Sequence, residues 1–306
     1  MDAQALDQLT IALEPAAQAM LAAAIIIMMF AIALGLRPEH FAFLRKDPKH
    51  FWGGIAAQII ALPAATIALA AILQPPPSIA LGMIVVAACP GGNVSNFMTY
   101  AARGDTAYSV SLTAGSSVIA AFWTPAAILL WSGFYPPTAD LLDTIEFDRT
   151  SFILQTTVML AAPLALGMTA AFYRPAAAEK IRKPLALFGA GILAVVIIRG
   201  TIDFWPILIG AWAIIMIPVI LHNAAAFALG AAAGRVLAAS PPQQRSLTFE
   251  VGIQNAGLAV VLLVSQLKGL GGAAAIAAVW GVWHFFSGGA MVAFYRYLDR
   301  RKAKTS

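Results

Sequence analysis

Two polar stretches interrupt otherwise apolar sequence: CPGGNVSNFMTY at residues 89–100 and LTFEVGIQNAGLAV at residues 247–260. The second holds Glu250, the only carboxylate well inside a hydrophobic run, with Gln254 four positions on and Asn255 beside it. An acid at the centre of a bilayer costs roughly 2.5–3.5 kcal/mol even on the most lenient scale. It therefore needs a basic partner, a proton or a bound cation. No Lys or Arg sits deep in an apolar run, and only Arg199, near one end, is placed to reach inward. Oxygen-bearing side chains are plentiful instead. Ser109 and Thr113 lie four apart, as do Glu250 and Gln254, so each pair is expected to share one helix face. Ser95 and Asn96 follow the first interruption, and Gln58 is a lone amide ahead of a kink expected at Pro63. Carboxylate, hydroxyl, amide and carbonyl oxygens suit a hard cation such as sodium. Each residue alone also has a plainer reading: hydroxyls bonding back to their own helix, an interhelical amide, or a helix cap. The cation reading depends on their converging around Glu250.

The other chemistry-bearing residues point elsewhere. His222 and His284 have no second ligand at helical spacing, so no transition-metal site is expected. Trp280 and Trp283 read as packing or interface anchors. A single cysteine, Cys89, rules out an internal disulfide. No nucleophile–base pair marks an intramembrane enzyme.

The elements that must position these residues are membrane spans. Of 306 residues, 60% are hydrophobic and 11% charged, against about 25% charged in soluble domains. The net charge of +5 forms no basic tract with interleaved aromatics, which excludes a nucleic-acid binder. The stretch MDAQALDQLTIALEP carries no positive charge and does not read as a secretory signal. A spanning helix needs about 20 mostly apolar residues, and nine such runs are read at 16–36, 51–73, 78–102, 106–132, 151–173, 185–200, 205–234, 246–266 and 271–295. Placing the C-terminus in the cytoplasm and the N-terminus outside leaves only Arg149, Arg199 and Lys268 of the 19 basic residues on the outer side, as the positive-inside rule requires.

Pro90-Gly91-Gly92 breaks the third span. Irregular backbone survives in lipid only where protein or a water-filled cavity surrounds it. The helix restarting near Asn93 offers free N–H groups and partial positive charge to an anion. Spans one to four and six to nine pair in opposite orientations, with span five unmatched, which places the interruptions in corresponding spans three and eight. Paired broken helices in inverted halves are the sequence pointer to a secondary transporter's midplane site.

The stretches CPGGNVSNFMTY, RGDTAYSVSLTAGSS, FEVGIQNAGLA, LHN at 221–223 and VWHFFSG at 282–288 together resemble the bile acid:sodium symporter family over about residues 26–295. The resemblance implies an all-α integral membrane protein with two crossed discontinuous helices. A core would come from 51–73, 78–102, 106–132, 205–234, 246–266 and 271–295, and a panel from 16–36, 151–173 and 185–200. Ten-span members exist, and this chain reads as lacking their first span. Two sodium sites are implied. One would use Ser95, Asn96, Ser109, Thr113 and Glu250; the other Gln58, Glu250, Gln254 and the carbonyls of Val251 and Ile253. An organic anion would meet Asn93, Val94, Asn255, His284 and Phe285. The family usually has Thr at the position of Asn93 and Asn at that of Phe285, so the sodium residues match while the substrate contacts differ. The resulting expectation is a bacterial inner-membrane, sodium-coupled symporter of an organic anion, either bile acid-like or smaller, such as a keto acid or pantoate. Proton coupling through Glu250 and an ion channel are the rivals, and no protein partner is inferred.

Overall fold

The computed structural model describes residues 6, 7, 9, 15–145, 148–203, 209–267 and 269–305, and these are almost entirely helical. The helices are α1 (Pro15–Leu34), α2 (Pro48–Leu73), α3 (Pro77–Ala88), α4 (Asn93–Ala101), α5 (Thr106–Gly133), α6 (Pro136–Thr144), α7 (Arg149–Tyr173), α8 (Pro175–Asp203), α9 (Trp212–Val236), α10 (Pro241–Gly252), α11 (Ala256–Ser265) and α12 (Gly271–Thr305). Local chemistry sets their starts. Proline opens α2, α3, α8 and α10, where its missing N–H is harmless and its fixed φ already suits a helix. Asp105 caps α5 through the Tyr108 N–H at 3.0 Å, and Asp148 caps α7 through the N–H groups of Thr150 and Ser151.

Among the described residues five helices are long and apolar enough to cross a membrane: α2, α5, α7, α9 and most of α12; counting α1 with the turn that follows it gives six. Both expected interruptions are real breaks. The run 78–102 divides into α3 and α4, and 246–266 into α10 and α11. With 12 residues in α3 and 10 in α11, neither half crosses a ~30 Å hydrocarbon layer at about 1.5 Å per residue. Two runs extend beyond their expected ends. The run 185–200 lies within the longer α8, and 271–295 continues to Thr305 through the basic tail, whose Arg, Lys and Ala are good helix formers. Lys268 and the side chain of Arg199 lie outside the described residues.

The most extensive apolar cluster is built around α3, α11 and α12, with smaller clusters beside it. α3 is buried along its whole length from Ser78 to Ala88, consistent with a helix that is apolar all round. α1 packs along α7 and α8 and also meets α11, while α7 packs on α5. α9 and α10 pack most intimately, because Gly230 lets the Leu247 carbonyl come so close that a Cβ there would collide with it.

Candidate functional site

The first break begins at Cys89, which is extended (φ −76°, ψ 156°) as a residue before proline prefers. Gly91 and Gly92 carry the chain in extended form to Asn93, where α4 begins. The second begins at Ile253, also extended, and ends at Asn255, which caps α11 by accepting the Leu258 N–H at 3.1 Å. The breaks meet. Gly91 and Gln254 form an antiparallel bridge, and the Asn255 N–H donates to the Pro90 carbonyl at 2.9 Å. Backbone groups released by the breaks find buried partners, as a membrane interior demands. Thr124 Oγ1 donates to the Ala88 carbonyl at 2.8 Å, Ser95 Oγ to Gly92 at 2.6 Å, and Asn223 Nδ2 to Gly252 at 2.8 Å.

Glu250, on the last turn of α10, is 1% exposed and projects to this meeting point. Its Oε1 lies 2.6 Å from Ser95 Oγ, 2.6 Å from Ser109 Oγ and 2.9 Å from Thr113 Oγ1; its Oε2 lies 2.9 Å from Thr113 Oγ1. Asn96 Oδ1 stands 2.8 Å from Ser109 Oγ and 3.3 Å from Thr113 Oγ1. Three helices, α4, α5 and α10, thus deliver five side chains whose oxygens face one another. A hydroxyl has one proton and two lone pairs. Ser109 cannot donate to Glu250, Asn96 and Thr99 at once, so lone pairs remain for a cation. No ion pair to Glu250 occurs among the described residues.

A second group gathers at the Glu250 main-chain carbonyl. Gln58 Nε2 donates to the Glu250 carbonyl at 3.1 Å and contacts Gln254 Oε1 at 3.3 Å; Gln254 Nε2 donates to the Val251 carbonyl at 2.9 Å. Gln58 sits in a wide π-helical turn, Ala57–Ala61, just ahead of Pro63, a local geometry often found at functional sites. Ile253 is fully buried in the break, its N–H on the Phe249 carbonyl. The expectation that Glu250 and Gln254 share a helical face is corrected: α10 ends at Gly252, so Gln254 reaches Glu250 by folding its amide back from extended backbone. Having no Cβ, Gly252 lets the Phe227 ring close directly against the end of α10.

The expected substrate contacts spread around the crossing. Asn93 is the exposed first residue of α4; Val94, half-buried, packs with the cluster of Met98, Phe227, Phe249 and Ile253. Asn255 is half-buried. On α12, Gly281 faces Ala256 and Gly288 faces Ile253 and Met98, which puts His284, between them on the same stripe, toward α11 and α4. His284 is 5% exposed, and neither ring nitrogen has a partner among the described residues. Phe285 is exposed. Sequence reading missed three contributors. Thr99, buried, has its hydroxyl 3.2 Å from Ser109 Oγ, and its spacing of four from Ser95 was the available signal. Asn223 lies in the matched LHN stretch without an assigned role. Gly91 leaves no room for a side chain: a Cβ would stand 2.7 Å from Glu250 Oε2 and 2.9 Å from Gln58 Nε2.

The sodium bile acid symporter family model matches residues 22–205. The chain belongs to the sodium bile acid symporter family. It is 30% identical to the uncharacterized sodium-dependent transporter YocS of Bacillus subtilis over 90% of this chain and 83% of that one. It is 28% identical to the probable sodium/metabolite cotransporter BASS1, chloroplastic, of Oryza sativa subsp. japonica, over 82% of this chain and 59% of that longer protein. It is 26% identical to the human ileal sodium/bile acid cotransporter, over 76% of this chain and 65% of that one. These relatives are transporters, not enzymes, and the apolar helices mark this member too as an integral membrane protein.

Proposed function

We propose that this chain carries an organic monoanion into the cell together with two sodium ions, by alternating access. The observation that carries the reading is the buried Glu250 carboxylate, ringed by Ser95, Ser109, Thr113 and Asn96 oxygens with no basic partner among the described residues. Here sodium is cargo as well as cement. One ion is assigned to Ser95, Asn96, Ser109, Thr113 and Glu250. The other is assigned to Gln58, Glu250, Gln254 and the Val251 and Ile253 carbonyls. Their charge offsets the cost of holding Glu250 ionised away from water, and their arrival tightens the junction of the two breaks.

The organic anion is assigned to the outer surface of that junction, at Asn93, Val94, Asn255, His284 and Phe285. Phe285 presents a phenyl ring rather than an amide, which favours an apolar edge on the cargo beside its carboxylate; a keto acid or a pantoate-like acid fits as well as a bile acid. Nine spans are reached by joining α3 to α4 and α10 to α11 and including α1 and α8. The inverted halves form a core of α2–α5 and α9–α12 that moves against a panel of α1, α7 and α8. The orientation places the N-terminus outside and the C-terminus in the cytoplasm, in a bacterial inner membrane.

The test is a thermal-shift screen of organic anions on the purified protein, with and without sodium, followed by uptake into proteoliposomes. Sodium alone should stabilise the protein, and the cargo should stabilise it further only in sodium. Uptake driven by an acid-outside gradient without sodium would instead establish proton coupling at Glu250, and substrate-independent sodium flux would establish a channel.

A further inference from the structure

A groove of about 1000 Å³ runs between α9 and α12 over α10 and borders the crossing at Asn223 and Phe227. Its α9 wall is the stripe Ile220, Ala224, Phe227, Ala231 and Arg235, and its α12 wall includes Trp283, Ser287, Ala290, Phe294 and Leu298. Successive helical residues turn by about 100°, so Trp283 and Ser287 lie on the side of α12 away from Phe285. The groove therefore opens away from Phe285, while Phe227 in its wall belongs to the cluster on which Val94 packs. It also opens away from α1, α7 and α8, whose packing is against α5 and α11. Phe286 and Phe294 are more than half exposed beside it.

Length and charge together specify an occupant. From Ile220 to Arg235 the α9 wall rises about 22 Å at 1.5 Å per residue, which matches half of a bilayer measuring about 40–45 Å with its head groups. The deep end is apolar. At the other end Arg245 is neutralised by Asp299 (Nη1 to Oδ2 2.9 Å) and stacks 5.1 Å from the Tyr295 ring centroid. Arg235 is exposed and has no acidic partner among the described residues. With the orientation proposed above, that end faces the cytoplasm. We propose that this groove seats one acidic phospholipid of the cytoplasmic leaflet, its acyl chain along α9 and α12 and its phosphate at Arg235.

Native mass spectrometry of the purified protein, titrated with phosphatidylglycerol or phosphatidylcholine of identical chains, tests this. One basic residue near an anionic head group is worth roughly fivefold in affinity. The wild type should bind the acidic lipid about fivefold more tightly. Arg235→Gln should abolish that preference, Arg235→Lys should keep it, and Ala231→Trp, which fills the groove, should weaken both lipids. The sodium-induced thermal shift should survive in all three variants; its loss in the wild type would strike the transport reading and leave the lipid result standing. Equal binding of the two lipids, a preference that outlives Arg235→Gln, or complete displacement by inorganic phosphate or a short-chain organic acid would overturn the proposal.

Discussion

The Glu250 carboxylate is buried at the crossing, and its neighbours are the hydroxyls of Ser95, Ser109 and Thr113 rather than guanidinium or ammonium groups. Replacing Glu250 by Gln keeps its shape and removes its charge. Breaking one side of a buried charge interaction costs about 3–5 kcal/mol, so sodium-dependent stabilisation should weaken by roughly 100-fold or more in apparent sodium affinity. A Glu250→Gln protein that still answers sodium as the wild type does would end the assignment. Gly91 offers a sharper test. A methyl there would overlap both Glu250 Oε2 and Gln58 Nε2, whereas at Gly92 the nearest atom to a Cβ is the Gln254 carbonyl at 3.6 Å. Overpacking a tight site costs about 1–3 kcal/mol. Gly91→Ala should therefore lower sodium affinity by roughly five- to 150-fold, and Gly92→Ala should leave it near wild type; a sodium titration followed by melting temperature reads both. At this scale the sequence was informative for residues with chemistry of their own. Ser95, Ser109, Thr113 and Glu250 were identifiable as polar atoms in oil, and they do converge. Gly91 was not, because its role is the absence of a side chain, which acquires meaning only once Glu250 and Gln58 stand against it.

The broken helices hold together because other elements satisfy the backbone they expose. Asn223 of α9 is the clearest case: its Nδ2 donates to the Gly252 carbonyl at the end of α10, and it is 1% exposed. An unsatisfied buried carbonyl costs about 1–3 kcal/mol. Asn223→Ala should destabilise the protein by that amount in chemical or thermal unfolding, with the sodium-induced shift reduced because the turn carrying Gln254 loosens. A melting temperature unchanged from wild type would show that water replaces the amide without loss. The positions of both breaks were legible from Pro-Gly-Gly and from the polar run after Glu250. The end of α10 was not. A four-residue spacing between Glu250 and Gln254 looks like one helical face, and only the extended backbone of Ile253 between them shows that it is not. Likewise, charge content hid the length of α8, since the segment before its apolar part is helical too.

On the proposed alternating access, the body holding Glu250 moves relative to α1, α7 and α8, and the contact between α8 and α11 is where that movement can be arrested. A Cβ at Gly257, near the start of α11, would stand 2.9 Å from Leu193 Cδ2 of α8 and 3.9 Å from Met28 Cε of α1. The one native cysteine, Cys89, is buried, so paired cysteines at 193 and 257 can be bridged by a short thiol-specific cross-linker with little background. Bridging should abolish uptake into proteoliposomes, and reduction should restore it. Neither position is a proposed sodium ligand, so the sodium-induced thermal shift should persist while bridged. Uptake that continues at the wild-type rate through a quantitatively bridged protein would show that these elements do not separate, and alternating access between them would be wrong. The energetics give the same experiment a second readout. On the proposed stoichiometry, two sodium ions with one monoanion carry one net charge, worth about 2.3 kcal/mol per 100 mV, and a tenfold sodium gradient adds about 1.4 kcal/mol per ion. Unbridged protein should therefore concentrate its cargo up to a few thousand-fold, and faster when the interior is negative. Bridging should remove the voltage response together with the flux, because a junction that binds sodium but cannot move between the two faces carries no charge across the membrane.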